Sequence, residues 1–467
     1  MAMPGTDNAD WLVPRAPGPV SALVRLPGSK SMTNRALILA ALAESATPIR
    51  RPLIARDTQL MATALRTLGT RIDEAGDDGW LITPAQEAAC AGHAEIDVGN
   101  AGTVLRFLPA LAALSKADVT FRGDRRVSQR PVGPLLAALR HLGARITDQG
   151  DGAVPFVVHG TGSVRGGTVT LDASSSSQLI SGLLLAAPRF GSGAFIRHEG
   201  PALPSAPHIE MSVRMLRAAG CEVRAGAEAL ARPGEDAPQA SAAPRPAQKR
   251  QESGADTVHH AWRVFPGPIS PGEIVIEPDL SNAVPFLAAA LATGGEVTIA
   301  DWPDDSLQPA ARIIDVLTAM GARVMHTPAG LRVSGSGQIS GIGADLSAVG
   351  ELAPVLTALA ALADSPSEFT GIGHLRRHES DRLAALAGEI GKLGGEVTEL
   401  ADGLAIKPRP LHADGVVFDS HDDHRLVMAA AVLGLVTGGL RVRNAVTVGK
   451  TFPGFPAYWA RTLAPAG

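Results

Sequence analysis

Lys30, Arg35, Arg106, Arg130, Arg382, Arg425 and Lys450 sit at or beside the starts of apolar helical patterns or in Gly-containing turns. An Arg fork matches a carboxylate or phosphate, whereas Lys is a compact point charge that can also pass a proton. A lone Arg is ordinarily a solvated surface charge; cations that recur beside helix starts read instead as ligand contacts. Ser176, Ser177 and Gln178 add hydroxyl and amide donors at another such start, where simple capping is the plainer reading. Two acids stand among the cations, Glu351 in Val349-Gly-Glu-Leu-Ala353 and Glu379 next to His378. A carboxylate among cations is held ionised and can act as a base, although an acid in a first helical turn is the ordinary explanation of Glu351 by itself. His424 can orient a substrate or stabilise charge. With no second His or Cys at ligand spacing, no metal site is expected.

The elements that must position these groups repeat. Six polar clusters run directly into Ala/Leu-rich helical patterns: Gly28-Ser-Lys-Ser31, Gly99-Asn-Ala-Gly-Thr103, Asp172-Ala-Ser-Ser-Ser-Ser177, Asp279-Leu-Ser-Asn282, Asp345-Leu-Ser347 and Asp419-Ser-His-Asp-Asp423. Each predicts an N-cap and a helix whose first N–H groups favour an anion. A second helical stretch follows in each uninterrupted unit and ends at a Gly before a strand, as at Gly69, Gly143, Gly220, Gly321 and Gly394. The unit therefore reads as strand, helix, strand, helix, strands, over about 65–75 residues. Residues 226–260, rich in Ala, Pro and charge, interrupt the series and are expected to form a disordered surface insertion. Three repeats on each side of it predict two similar lobes with ligands between them.

Composition limits the classes of function. A net charge of −4, 4% aromatics and a single Tyr leave no footprint or stacking platform for nucleic acid. Cys90 and Cys221 are too few for a disulfide framework or a Cys zinc site. The N-terminus lacks the signature of a secretory signal, and the apolar stretches are too short to span a membrane, so a cytoplasmic protein is expected. Gly28-Ser-Lys-Ser31 lacks the Walker A spacing, and no Gly-x-Gly-x-x-Gly stands at a βα turn.

Leu26-Pro-Gly-Ser-Lys-Ser-Met-Thr-Asn-Arg-Ala36, Gly99-Asn-Ala-Gly-Thr103, Arg130-Pro-Val-Gly133, Ser176-Ser-Gln178, Asp381-Arg382, Asp423-His-Arg425 and Lys450-Thr-Phe-Pro453 together resemble the 5-enolpyruvylshikimate-3-phosphate (EPSP) synthase family, the 3-phosphoshikimate 1-carboxyvinyltransferases. The resemblance runs in order from about Leu23 to Phe455, leaving out the insertion. It implies an α/β (α+β) fold of two lobes, each of three βαβαββ units around a pseudo-threefold axis, an inside-out α/β barrel with the active site between the lobes. One lobe would span 29–276, with the insertion near 226–260. The other would be discontinuous, 1–28 with 277–467, closed by the N-terminal strand.

The implied reaction moves the enolpyruvyl group of phosphoenolpyruvate to the 5-hydroxyl of shikimate 3-phosphate by addition and elimination. No cofactor, nucleic acid or membrane takes part, and a monomer is expected. On this resemblance Lys30, Ser31, Arg35, Ser176, Ser177, Gln178, Ser205, Glu351, His374 and His378 would hold shikimate 3-phosphate. Lys30, Asn100, Gly102, Arg130, Gln178, Arg382, His424, Arg425 and Lys450 would hold phosphoenolpyruvate. Lys30, Glu351 and Glu379 would carry the catalysis, Glu351 as base for the 5-hydroxyl and Glu379 as proton donor to the enol methylene. The chain departs from the pattern at Glu351, where many members have Asp, at His378, where many have Lys, and at His374, where many have Asn. One rival is a UDP-N-acetylglucosamine enolpyruvyl transferase, but Ser31 rather than Asn follows Lys30 and no Cys lies between Gly123 and Gly133. Another is a non-catalytic phospho-ligand binding protein, which has no use for Glu351 and Glu379.

Overall fold

The computed structural model describes residues 10–76, 79–85, 91–150, 152–230 and 260–463. The expected insertion lies largely outside the described residues, which resume at His260. Among the described residues the strands form six small sheets, five of four strands and one of three. The sheet holding Ala91–Asp97 shows the shared pattern. That strand pairs in parallel with Lys116–Arg122, which pairs antiparallel with Phe156–His159, which in turn pairs antiparallel with Arg145–Thr147. The same order recurs around Ala194–His198, Thr47–Arg50, Glu296–Ala300 and Ser367–Thr370. The parallel step requires a crossover, which Gly102–Leu114, Gln178–Ala186 and Ala353–Ala361 supply in three of these sheets; in those of Thr47–Arg50 and Glu296–Ala300 the parallel partner comes from a distant part of the chain.

The two helices of a unit differ in sequence because they differ in place. Gly102–Leu114, Gln178–Ala186, Leu280–Thr293, Ala353–Ala361 and His424–Thr437 are apolar on nearly every face and lie inside their lobes. Arg56–Thr67, Pro207–Ala218 and Arg382–Lys392 are amphipathic and cover the outside. The five glycines expected to end the second helices of the units, Gly69, Gly143, Gly220, Gly321 and Gly394, all adopt φ between +82° and +106°, where a side chain would be strained. Each fully buried Leu or Phe contributes about 1.5–3 kcal/mol.

The buried side chains form two clusters, one from Met32 to Ile276 and one that joins Val13, Val20 and Val24 to Leu280 through Leu463. The chain crosses between them twice, side by side: Ser29 N donates to Glu277 O (2.8 Å) and Asp279 N to Pro27 O (2.8 Å). Just before each crossing a strand stays behind in the lobe the chain is leaving: Ser21–Val24 completes the sheet of Glu296–Ala300, and Ile274–Val275 completes that of Thr47–Arg50. Trp11–Leu12 pairs with Arg441–Arg443 in the last sheet. On these two cores we propose the lobe boundaries 29–276 and 1–28 with 277–467. Among the described residues no helix is long and apolar enough to cross a membrane.

Candidate active site at the lobe junction

Three of the six helix starts are capped as expected. Ser29 accepts from Met32 N, Asp279 from Ser281 N and Asn282 N, and Asp423 from Arg425 N. The other three differ. Gly102–Leu114, Gln178–Ala186 and the 3-10 turn Gly350–Leu352 start behind Ala101, Ser177 and Val349, and none of these gives a side-chain cap to the helix. Ala101 and Val349 have no side-chain acceptor atom, and Ser177 is itself helical in backbone. The capping acids lie further back: Asp97, Asp172 and Asp345 accept from Gly99 N, Ser174 N and Ser347 N (2.8 Å each) and fold the approach turn instead. The helix Gly102–Leu114 and the turn Gly350–Leu352 therefore keep their first N–H groups clear of a capping side chain, whereas Gln178 N donates to Ser176 Oγ at 3.3 Å.

Lys450, Glu379, Arg382 and His424 from the second lobe meet Lys30, Asn100 and Arg130 from the first. Lys450 Nζ donates to Asn100 O (3.0 Å) and lies 3.0 Å from Glu379 Oε1. Arg130 Nη1 donates to the same carbonyl (2.8 Å), and its buried Nε has no partner. Arg382 holds Asp423 by two bonds, Nε to Oδ2 at 2.7 Å and Nη2 to Oδ1 at 3.1 Å, and reaches Glu379 Oε2 at 3.4 Å. His424 Nδ1 lies 2.8 Å from Glu379 Oε2, off the line of a good hydrogen bond. Burial alone would raise the Glu379 carboxyl, but His424, Lys450 and Arg382 outweigh it and hold it well below the usual carboxylate range. Burial pushes the His424 imidazole down to about 4, against the pull of that carboxylate. Glu379, Asp423 and His424 bring potential metal donors together, but Arg382 and Lys450 already neutralise the carboxylates, a poor setting for a further cation. Glu379, Asn100 and Lys450 also line a cavity of about 970 Å³ with Arg56, Arg125 and Arg126.

A second group gathers around Glu351. Its carboxylate lines a small cavity of about 20 Å³ with Ser31, Asp279, Ser281 and His208, whose Nε2 is 3.8 Å from Glu351 Oε1. Arg425 donates to Ser281 through both terminal nitrogens, to O at 2.9 Å and Oγ at 2.7 Å. Arg35 is buried and donates to Ser212 Oγ (2.8 Å), Ser31 O (2.9 Å) and His208 O (2.9 Å); burial lowers its guanidinium to about 9. It therefore braces the pocket wall in this structure. Ser176 accepts from Gln178 N, and Gln178 Oε1 accepts from Arg106. Ser205 adopts φ +52° and ties the lobes together, its N donating to Ser347 O (2.8 Å). The rings of His374 and His378 meet edge to face with centroids 5.4 Å apart, and burial keeps both imidazoles below their ordinary value. His374 Nε2 is buried without a partner, while His378 Nδ1 faces Arg382 Nη1 at 3.4 Å. A Cβ on Gly102 would lie 2.3 Å from Arg130 Nη2.

Two residues of the junction, Asp57 and His208, carry no mark of a role there in the sequence. Asp57 lies in the first turn of Arg56–Thr67, where an acid reads as a dipole contact, yet its carboxylate is buried 3.4 Å from Lys30 Nζ and 3.9 Å from Lys450 Nζ. The Pro207 that opens the next helix marks a turn there but gives no hint of what His208 meets.

Two buried cores, built from small sheets of one recurring strand order, meet at a cation-rich junction. The fold matches EPSP synthase of Acinetobacter baumannii (TM-score 0.73, 24% identity, 97% of each chain) and the enolpyruvyl transferase NikO of Streptomyces tendae (TM-score 0.70, 17% identity, 97% of this chain and 98% of that one). The chain matches the EPSP synthase (3-phosphoshikimate 1-carboxyvinyltransferase) family over residues 14–242 and 253–459. It is 46% identical over 465 residues to a 3-phosphoshikimate 1-carboxyvinyltransferase of Kocuria rhizophila, covering 98% of this chain and 97% of that protein. The chain belongs to the EPSP synthase family.

Proposed function

We infer that the chain transfers the enolpyruvyl group of phosphoenolpyruvate to the 5-hydroxyl of shikimate 3-phosphate, releasing phosphate, as a transferase of the shikimate pathway to chorismate and the aromatic amino acids. The observation that carries the assignment of roles is Glu379, a buried carboxylate held between Lys450, Arg382 and His424 where the lobes meet. Phosphoenolpyruvate brings its own anionic groups to these cations and to Arg130 and Arg425. Once they neutralise the ligand, Glu379 loses the field that keeps it ionised, and its carboxyl becomes able to carry a proton to the enol methylene.

Protonation makes the central carbon electrophilic. Glu351 takes the proton of the 5-hydroxyl, and the freed oxygen bonds to that carbon to give a tetrahedral intermediate. Loss of a proton from the new methyl group, back to Glu379, and departure of phosphate restore the double bond as an enol ether. Lys30, Ser31, Arg35, Ser176, Ser177, Gln178, Ser205, His374 and His378 are assigned to shikimate 3-phosphate. Lys30, Asn100, Gly102, Arg130, Gln178, Arg382, His424, Arg425 and Lys450 are assigned to phosphoenolpyruvate. Two polyanions held side by side need cations from both lobes, which the contacts of Lys450 with Asn100 and of Lys30 with Asp57 support. Both halves of this site come from one chain, which supports a monomer; we place it in the cytoplasm. Phosphate release from shikimate 3-phosphate plus phosphoenolpyruvate tests the assignment. Release with UDP-N-acetylglucosamine instead, or no turnover with either acceptor, overturns it.

A further inference from the structure

We propose that His208 is a positioning residue for Glu351, its Nε2–H reaching across the lobe junction to align the carboxylate that takes the 5-hydroxyl proton. The inference rests on the reading of Glu351 as that base. His208 opens the helix Pro207–Ala218 of the first lobe, and Glu351 sits in the 3-10 turn Gly350–Leu352 of the second. The backbone beneath the ring is fixed from several sides. Its carbonyl accepts from Arg35 Nη2 (2.9 Å) and Ser212 Oγ (3.1 Å), and its N donates to Ser205 O (3.0 Å).

Ser205 N in turn donates to Ser347 O (2.8 Å), so the segment before His208 is bonded to the segment before Glu351. Nε2 then stands 3.8 Å from Glu351 Oε1, a gap that a small movement turns into a hydrogen bond. Nδ1 is buried and unpartnered. Glu351 is thus the carboxylate that stands 3.8 Å from this ring, and a proton on Nε2 serves it. The charged groups facing the imidazole are Glu351, Arg35 and Lys30 of the helix Lys30–Ala41, and Asp279 of the crossover. Burial keeps the ring below its ordinary value and therefore neutral, so it can donate to the carboxylate without adding a charge to the pocket. The pair forms only when the lobes are together, which ties the base's alignment to closure.

His208→Phe keeps a ring and removes the donor; His208→Gln restores an N–H at comparable reach. Steady-state kinetics across pH, with melting curves to verify folding, read the outcome. For the Phe variant we expect kcat to fall roughly tenfold, KM for phosphoenolpyruvate to stay within about twofold, and the acidic limb of kcat to move to higher pH as the carboxylate loses its donor. The Gln variant recovers most of kcat and the wild-type limb. A folded Phe variant with unchanged kcat and limb overturns the proposal, as does a Gln variant no better than Phe. Glu351→Gln separates the two readings. Near-normal kcat there removes the base itself, whereas loss there beside an unaffected His208→Phe removes only the positioning role.

Discussion

Lys450 Nζ lies 3.0 Å from the carbonyl oxygen of Asn100, which joins the last motif of the second lobe to the backbone just before the second buried helix of the first. The same ammonium is 3.0 Å from Glu379 Oε1 and 3.9 Å from Asp57 Oδ1. One cation thus holds the lobes together, neutralises the proposed proton donor and stands ready for an anionic substrate.

Replacing Lys450 by Met removes all three contacts at similar length. A preorganised donor at a dry site contributes about 10²–10³ in rate, so kcat/KM for phosphoenolpyruvate falls by about that factor. Leaving Glu379 buried without this partner costs about 3–5 kcal/mol, read as a lower melting temperature. Unchanged phosphoenolpyruvate kinetics in a folded variant would remove Lys450 from the site.

Gly102→Ala tests the packing against Arg130. The new methyl would stand 2.3 Å from Arg130 Nη2 and 2.8 Å from Arg106 Nη1, so both guanidinium ends must move. Arg130 is fixed by Asn100 through both O and Oδ1, and its displacement disturbs the anion pocket more than the fold. KM for phosphoenolpyruvate rises about tenfold or more while KM for shikimate 3-phosphate stays within about twofold. Equal effects on the two substrates would place Gly102 elsewhere in the pocket.

The repeat was legible because its signals are local. A Gly at φ near +90° after each outer helix and an apolar pattern on the inner ones are properties of a few adjacent residues. The double crossing at Ser29 and Asp279 is not local, since it sets which sheet receives each crossing strand. Half of the expected caps moved back by a turn, because Asp97, Asp172 and Asp345 bond two residues ahead rather than to the helix. Asp57 escaped notice for a similar reason. An acid in a first turn has an adequate local explanation, and only the tertiary fold brings Lys30 and Lys450 to it.

Glu379→Gln keeps shape and removes the transferable proton. General acid–base groups contribute about 10²–10⁴ in rate, so kcat falls within that range while KM for phosphoenolpyruvate changes little. Rapid-quench measurement of the first turnover shows whether bond formation itself is slowed. A variant with a normal first turnover and slow later ones would assign Glu379 to product release.

Stability should fall on the acid side of neutrality, from two kinds of group that act in the same direction. The His424 imidazole is pushed down to about 4 by burial, whereas in the unfolded chain it titrates near ~6.5. Between those values the unfolded chain binds a proton that the folded chain refuses, so stability drops as pH falls from ~6.5 toward 4. Glu379 and Asp423 are depressed in the fold, so their contribution is full above the ordinary carboxylate range and is lost as pH falls through their folded values. Urea midpoints between pH 7 and 5 should decline, and His424→Asn should flatten the decline by on the order of 1–2 kcal/mol. An equal slope in the variant would assign the effect to His208, His374 or His378, which burial shifts the same way.

Removing residues 232–255 and rejoining the chain with a short Gly/Ser linker should leave kcat and both KM values within about twofold. The strands that bracket this stretch, Val223–Ala225 and His260–Val264, pair antiparallel with Ala225 opposite Trp262, so a short connection suffices to join their ends. None of the residues assigned to either substrate lies between Ser205 and Glu351 in sequence. One structural link argues for caution in choosing the cut: the helix Ala227–Leu230 accepts from Arg263 Nε through Ala229 O, so the deletion begins after it. Shortening a loop of this length changes closure entropy by only about 1 kcal/mol, which predicts a melting temperature equal to or slightly above that of the full chain. A tenfold loss of turnover with an unchanged melting temperature would show that the excised stretch acts on the site, and would reverse the reading of it as a passenger.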